Sequence, residues 1–523
     1  MSVQSTPMAR EAIFCSLREW LNIGAAVVIT LFLYVAINEF VRAKQRLPNF
    51  DGPRGLPLIG NLHQIRRNAG EQYRKWSAEY GPVYQVQLGN VPVLIVNTAA
   101  AAKAIFAQNS QAVSSRPEFY TFHKVLSNTA GTTIGTSPYS DSLKRRRKGV
   151  ASALNRPAVQ TYVPHLDIET KDFCKELLDY GHAGTVHIDP LPMIQRFSLS
   201  LSLSLNWGTR IDSHEDPLFR EITHVEEQVS RFRSTTGNLQ DYVPILRLSP
   251  FNSSSRKARN IRRRRDVYLA QLNHELDERI ANGTHKPCIQ ANVILNKETA
   301  ITKAELTSIS LTMLNAGLDT LTAVIAWSIA LLAQRPEIQD KAFDEISRIF
   351  GTKEPLCDAA DDGSCRYVVA LIRECLRYYT VLRLALPHSS VREITYEGKR
   401  IPRGTVMFLN AWACNLDPQT WEDPEAFRPE RWFDHAEAPM FTYGMGYRMC
   451  AGSLLANREL YLIFIRLINS FRIERVASID VDPTTGIADP TNLVMMPRRY
   501  EVRFVPRNTQ ALRRSIADFV VQG

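Results

Sequence analysis

The chain has 523 residues, is 45% hydrophobic and 22% charged, and carries a formal net charge of +10. That length and apolar content suit a large buried core and exclude a disordered or low-complexity protein. The basic balance raises nucleic acid as a partner, but the basic runs adjoin no recognisable nucleic-acid motif and no interleaved aromatics, which argues against that class.

Taken from the N-terminus, residues 21–37 form a mostly apolar run. It sits at the short limit for crossing a hydrocarbon layer of roughly 30 Å. Arg10 and Arg18 before it are offset by Glu11 and Glu19, whereas Arg42, Lys44, Arg46 and Arg54 after it outnumber Glu39 and Asp51. Positive charge following the span puts the body on the cytoplasmic side. A Pro- and Gly-rich stretch, residues 47–57, then breaks the helix. The expected division is a membrane anchor with a basic flank, 1–46, and one catalytic domain, 47–523, since no linker, repeat or low-complexity tract cuts the remainder.

Residues 83–88 and 91–96 flank Gly89-Asn90 and read as a hairpin. Residues 391–409 offer a second strand group with a turn at Glu397-Gly398. Most of the rest carries helical spacing. Two basic clusters, Lys144-Arg-Arg-Arg-Lys148 and residues 256–265, read as solvated faces suited to anionic lipid or an acidic electron donor. Two glycosylation sequons, at Asn252 and Asn282, would go unused in a cytoplasmic body. The 8 cysteines lack paired spacing, which points to a reducing compartment, with Cys357 and Cys365 as free thiols.

Further on, an apolar helix contains Ala316-Gly-Leu-Asp-Thr320. A mid-helix glycine costs about 1 kcal/mol relative to alanine, and neither Asp319 nor Thr320 favours a helix interior. Local conflict of this kind marks functional sites. Glu374 and Arg377 share a helix face, and Arg431 follows in Phe427-Arg-Pro-Glu-Arg431-Trp. The most informative segment is Tyr443-Gly-Met-Gly-Tyr-Arg-Met-Cys-Ala-Gly452, followed by an apolar helix over residues 454–471. Gly444 and Gly446 permit tight turns and close approach to a flat ring. A helix start stabilises the Cys450 thiolate over the thiol. Arg448 has the geometry to hold a carboxylate.

This segment resembles the haem-binding loop of the cytochrome P450 monooxygenases, with Tyr443 where that family usually has Phe. The resemblance spans roughly residues 47–507 and implies a mainly α fold with a smaller β portion. That fold is a helix-rich triangular prism holding haem b between two long helices, here preceded by the anchor helix. It implies Cys450 as axial ligand of the haem iron. Tyr443, Gly444, Gly446 and Arg448 would lie around the haem, with His388 and Arg145 on the propionates and Arg146 as second choice to Arg145. Thr320 would hydrogen-bond, and Asp319 would pass protons through water, where oxygen is activated. Leu321 departs from the family's usual Thr or Ser and leaves this pair intact. Glu374, Arg377 and Arg431 would form a buried structural network.

No flavin domain or dinucleotide fingerprint fits the chain. The resemblance therefore implies electrons from a separate NADPH–cytochrome P450 reductase, with cytochrome b5 as a second donor, and a single-pass protein of the endoplasmic reticulum membrane. Residues 144–157 and 443–460 are similar to the fungal phenylacetate hydroxylase group. This implies ring hydroxylation of a phenylacetic acid-type substrate. The alternatives are a hydroxylase or desaturase for a larger secondary metabolite, a haem-thiolate isomerase or dehydratase, and a non-enzymatic haem-binding membrane protein. A buried aromatic acid needs a cation for its carboxylate. Arg383 is the expected one, with Arg116, His123 and Lys124 in reserve.

Overall fold

The computed structural model describes residues 7–127, 131–248, 252–295, 301–351 and 353–522, so residues 1–6 of the expected anchor lie outside the described part. The helices that position the site are α1 (Pro7–Gln45), α2 (Asp141–Ala153), α3 (Leu191–Trp207), α4 (Pro217–Arg233), α5 (Ser253–Ala281), α6 (Lys303–Gln334), α7 (Arg366–Tyr379) and α8 (Ser453–Ser470). The fold is mainly helical with a small sheet portion.

Among the described residues two helices are long and apolar enough to cross a membrane. The stretch Lys303–Gln334 is 78% buried and forms the spine of the core, whereas Glu19–Gln45 has a mean hydropathy of 2.2 and none of its most apolar window buried. Protein covers the apolar surface of α6 but not that of α1, which fits a membrane anchor for α1 alone. The last turns of α1 dock on the body. Glu39 Oε1 accepts from Leu58 N at 2.9 Å, and Asn90 Nδ2 donates to Asn38 Oδ1 at 2.8 Å.

The expected hairpin is present. β1 (Val83–Leu88) and β2 (Val91–Val96) pair antiparallel with Leu88 opposite Val91, closed by Gly89 at φ 52°. The second strand group resolves into β3 (His388–Ser389), β4 (Ile394–Tyr396), β5 (Lys399–Ile401) and β6 (Val406–Leu409). The main sheet runs β1-β2-β6-β3, with β6 parallel to β2. A third small sheet, β7 (Phe471–Arg475) against β8 (Val502–Pro506), was not legible in the sequence because each strand is short.

α6 opens on a capping box: Thr302 Oγ1 accepts from Glu305 N, and Glu305 Oε2 accepts from Thr302 N. It ends at Gln334, before Arg335-Pro336, and residues of α6, α7 and α8 share the largest apolar cluster. The second basic cluster is only partly a solvated face. Arg265 is buried and donates to Leu126 O, Arg262 donates to Val125 O, and Arg264 pairs with Glu221. All cysteines with described side chains are free thiols, Cys357 and Cys365 included. Asn252 caps α5 and donates to Gln240 Oε1 at 2.7 Å, so that sequon already has a structural use.

Candidate active site

A cavity opens between α6 and α8, with about 290 Å³ accessible to the centre of a water molecule. One wall carries Ala316, Gly317, Asp319 and Thr320. The opposite wall carries Tyr443, Gly444, Arg448, Cys450, Gly452 and Leu455. Cys450, Asp319 and Thr320, far apart in sequence, therefore face one space.

The loop before α8 is folded by its own backbone. Cys450 N donates to Tyr443 O at 2.9 Å, and Gly444 and Gly446 have φ of 72° and 69°. Gly446 has no substitute, since a Cβ there would lie 2.1 Å from Phe106 O. A Cβ on Gly444 would meet nothing within 4 Å and would stand beside the space a flat ring would occupy. Tyr443 lines the cavity, and its hydroxyl donates to Asn457 Oδ1 on α8 at 2.8 Å. That bond gives the tyrosine a partner that phenylalanine could not have. The Cys450 sulfur faces the cavity. Burial pushes its thiol up, while the Gly452 N–H and the charge of Arg147 pull it down. The helix start alone does not hold a thiolate here. A cation facing the sulfur is needed, as an iron in this cavity would be.

Three arginines and a histidine line the same cavity: Arg116, Arg147, Arg448 and His388. Arg448 spends both terminal nitrogens on backbone carbonyls, at 2.7 Å to Ser114 and Ile134, and burial pulls its pKa down to about 9. Arg116 donates to Gly135 O at 3.0 Å and Pro387 O at 2.8 Å, and burial with two neighbouring arginines lowers its pKa well below the usual value. Arg147 is the least committed of the three. Its one hydrogen bond among the described residues is a 3.4 Å contact to Met449 O, and its Cζ sits 5.3 Å from the Tyr447 ring centroid. His388 Nδ1 contacts Val113 O at 2.8 Å, so that nitrogen carries the proton. Burial, Arg116 and Arg448 push its pKa well below the ordinary range, which keeps the ring neutral until an anion arrives. This concentration of uncompensated cations beside a free thiol, within an apolar cavity, fits the two acidic side arms and the iron of haem b.

Arg145, expected at a propionate, does not reach the cavity. The capping box holds Glu305 in place, and Glu305 takes Arg145 at 2.7 Å on the outer side of α2. That contact helps draw the Glu305 pKa down to about 2 despite its burial. Arg146 is turned to Ser137, Ser308 and Thr132. Arg147 is the residue of this cluster that lines the cavity, and a signal for it existed. Arg147, Val150 and Leu154 recur at helical spacing, and all three line the cavity.

Arg383 is also misplaced by the sequence reading. It is 3% exposed and lies outside the cavity lining. Its guanidinium donates to Pro483 O and contacts Asn68 Oδ1, and it lies 4.2 Å from the Trp412 ring centroid. The turn that follows α7 sends Val381, Leu382 and Ala385 into the cavity and Arg383 to the other side. Of the reserve candidates, Arg116 lines the cavity, His123 lines a side pocket and bonds Thr136 O at 3.1 Å, and exposed Lys124 pairs with Glu118.

On α6, the Thr320 hydroxyl donates to Ala316 O at 2.5 Å. The helix runs unbroken through Gly317. Burial raises the Asp319 pKa to about 6, against opposing contributions from Ser230 and Arg233.

Glu374, Arg377 and Arg431 form the expected buried network. Arg377 reaches Glu374 through two bonds of 2.8 and 2.7 Å, and Arg431 Nε reaches Oε1 at 3.1 Å. Trp432 Nε1 and Arg428 N also donate to the same carboxylate, at 3.0 and 2.9 Å. The network connects to the cysteine loop. Arg377 donates to Asn415 O, Asn415 Nδ2 donates to Thr442 Oγ1 at 2.9 Å, and Phe441 N donates to Asn415 Oδ1 at 2.9 Å.

Comparison with known proteins is consistent with this geometry. A family model described as Cytochrome P450 matches residues 50–504. The chain is 68% identical to a 3-hydroxyphenylacetate 6-hydroxylase of Emericella nidulans over 92% of its length and 93% of that protein. It is 40% identical to a phenylacetate 2-hydroxylase of the same organism, over 94% of the chain and 97% of the relative. A cytochrome P450 monooxygenase of Mycosarcoma maydis is 38% identical, over 93% of each.

Proposed function

Because the chain belongs to the cytochrome P450 family, whose monooxygenases use a thiolate-ligated haem iron, we propose that it hydroxylates the ring of an arylacetic acid such as 3-hydroxyphenylacetate. The 68% identity to a hydroxylase of that compound carries the reading, and it extends over nearly the whole of both chains. One oxygen atom of O2 enters the substrate and the other leaves as water.

When bound, haem supplies oxygen activation at an iron pushed by sulfur. The residues of the chain do the rest. Cys450 provides the sulfur, and its loop is held by the Glu374 network through Asn415 and Thr442. Arg147, Arg448, Arg116 and His388 would hold the acidic arms of the ring, with Arg147 the freest to turn towards them. Asp319 and Thr320 face the sulfur across the cavity. A carboxyl titrating at about 6 gives up and regains a proton near neutral pH, and the Thr320 hydroxyl on the same wall would pass it on after turning from Ala316 O. The apolar lining from Leu205, Leu386, Leu493 and Val494 excludes water around an aromatic ring.

Residues 1–46 serve as a single-pass anchor in the endoplasmic reticulum membrane, and residues 47–523 form a cytoplasmic catalytic domain. Electrons come from a separate NADPH–cytochrome P450 reductase, with cytochrome b5 as a second donor. The test is to titrate the purified ferric holoprotein with phenylacetate and 3-hydroxyphenylacetate, following the Soret band, and then to identify the product of reductase-supported turnover. A saturable shift and a ring-hydroxylated product are expected. A normal thiolate-haem spectrum with no shift by either acid would remove the substrate assignment.

A further inference from the structure

A fourth arginine enters the cavity far from the other three in charge environment. Arg233 is the last residue of α4 and lines both the main cavity and the side pocket that adjoins it. Arg147 and Arg448 both depress the pKa of Arg116, and Arg147 depresses that of Arg448, so the three form one positive pole. The charges that act on Arg233 are instead Asp319 and Glu226. The cavity thus has two cationic poles, one around the Cys450 loop and one beside Asp319, which meet at the side pocket that Arg116 and Arg233 both line.

The second pole is built. Arg233 Nη1 donates to Asn315 Oδ1 at 3.2 Å. Asn315 Nδ2 donates to Glu226 Oε2, and the Tyr268 hydroxyl donates to the other oxygen of Glu226. This chain fixes the Asn315 amide with its oxygen towards Arg233, and so fixes the guanidinium. The ring of Phe122 lies 5.6 Å from Arg233 Cζ.

Yet Arg233 lacks a firm counter-ion. It forms no salt bridge among the described residues, and its buried Nε has no hydrogen-bond partner there. Glu226 and Asp319 are themselves pushed up by burial, to about 7 and about 6, so neither is fully committed as an anion. A half-buried guanidinium with an unused buried donor and soft neighbours is incomplete until an anion arrives.

We propose that Arg233 binds the carboxylate of the substrate, holding an aromatic acid by its charged end in the cavity bounded by Asp319 and Thr320. This inference rests on the arylacetic acid reading above and names the residue that enforces it. Haem b brings two carboxylates, for which the other pole is available. The substrate brings a third, and Arg233 is the cavity arginine left for it. Planar guanidinium geometry also suits a carboxylate better than an ammonium would.

The test compares ferric wild type with R233Q and R233K, titrated with 3-hydroxyphenylacetate and with its uncharged amide. The Soret shift and calorimetry would be the readouts, and an unaltered ferrous–CO spectrum would confirm an intact site. In R233Q, acid affinity is expected to fall by about thirtyfold or more while amide affinity stays within about threefold, abolishing preference for the acid. R233K should retain part of that preference. Equal weakening of acid and amide in R233Q would mean that Arg233 only supports the fold, and would overturn the proposal. Unchanged acid affinity in R233Q would overturn it while leaving the arylacetic acid reading standing. No response of wild type to the acid would overturn that reading, and this assignment with it.

Discussion

Gly317 of α6 faces Ser202 of α3 so closely that a Cβ on the glycine would lie 2.3 Å from the serine oxygen. That oxygen donates to Ser198 O at 2.8 Å and can rotate only by giving up the bond. Gly317→Ala gains about 1 kcal/mol of helix propensity and loses a hydrogen bond of similar worth, so its stability should change little. In an S202A background the same substitution should stabilise by about 1 kcal/mol, because the clashing oxygen is gone. Denaturant unfolding of the four proteins checks this cycle. A large loss in the double variant would show that the methyl group meets something other than Ser202.

The carboxylate of Glu374 is fully buried and receives five donor groups from Arg377, Arg431, Trp432 and the Arg428 backbone. Glu374→Gln keeps the shape but strands two guanidiniums, which should cost about 3–5 kcal/mol and impair haem retention. By contrast, Lys341→Ala breaks an exposed pair with Glu430 and should cost at most about 1 kcal/mol. Thermal unfolding and haem-to-protein ratio of the two variants give the comparison.

Local pattern made much of this molecule readable. The hairpin at Gly89, the Glu374–Arg377 spacing and the loop around Cys450 each lie within a few residues, so sequence distance stands in for spatial distance. Arg147 was readable too, had the helix register of α2 been carried through to Val150 and Leu154. Arg383 and Arg233 were not. Which way Arg383 points depends on the turn after α7 and on Trp412, and Arg233 meets Asn315 only once α4 packs against α6. Basic residues alone could not say which cation faces the cavity.

Arg383→Leu should therefore behave as a structural variant. It removes donors to Pro483 O and Asn68 and the guanidinium stacked near Trp412. A loss of about 2–4 kcal/mol is expected for breaking a buried polar cluster. The ratio of acid to amide affinity, measured in the fraction that retains haem, should match that of wild type. A selective loss of acid binding would restore Arg383 as the substrate cation.

Asp319 gives a pH dependence whose sign is fixed by the direction of its shift. Its carboxyl moves from 3.8 up to about 6 in the folded chain. Below about pH 4 both folded and unfolded forms are protonated, and the group contributes nothing. As pH rises to about 6 the unfolded chain ionises first, so stability falls, by about 3 kcal/mol for a shift of about 2 units. Glu226 is shifted the same way, so the contribution must be read as a difference. Wild type minus D319N, measured by unfolding between pH 4 and 7, should show this fall. In turnover, D319N should lose about 10²-fold or more in kcat, because the amide cannot pass a proton.

The anchor can be cut at two places with different consequences. Among the described residues none before Asn38 hydrogen-bonds to the body, whereas Asn38, Glu39 and Arg42 do. Glu39 accepts from the Leu58 backbone and pairs with Arg42, which is itself 6% exposed. Removing residues 1–37 should release the protein from membranes with unfolding stability unchanged, since only lipid-facing surface is lost. Removing residues 1–46 should release it equally well but cost about 1–2 kcal/mol, because Leu58 N and Asn90 lose their partners and the groove that holds Arg42 empties. Membrane flotation and thermal unfolding of the two truncations separate anchoring from docking. Equal stability of the two would mean that the end of α1 is held by the membrane rather than by the body.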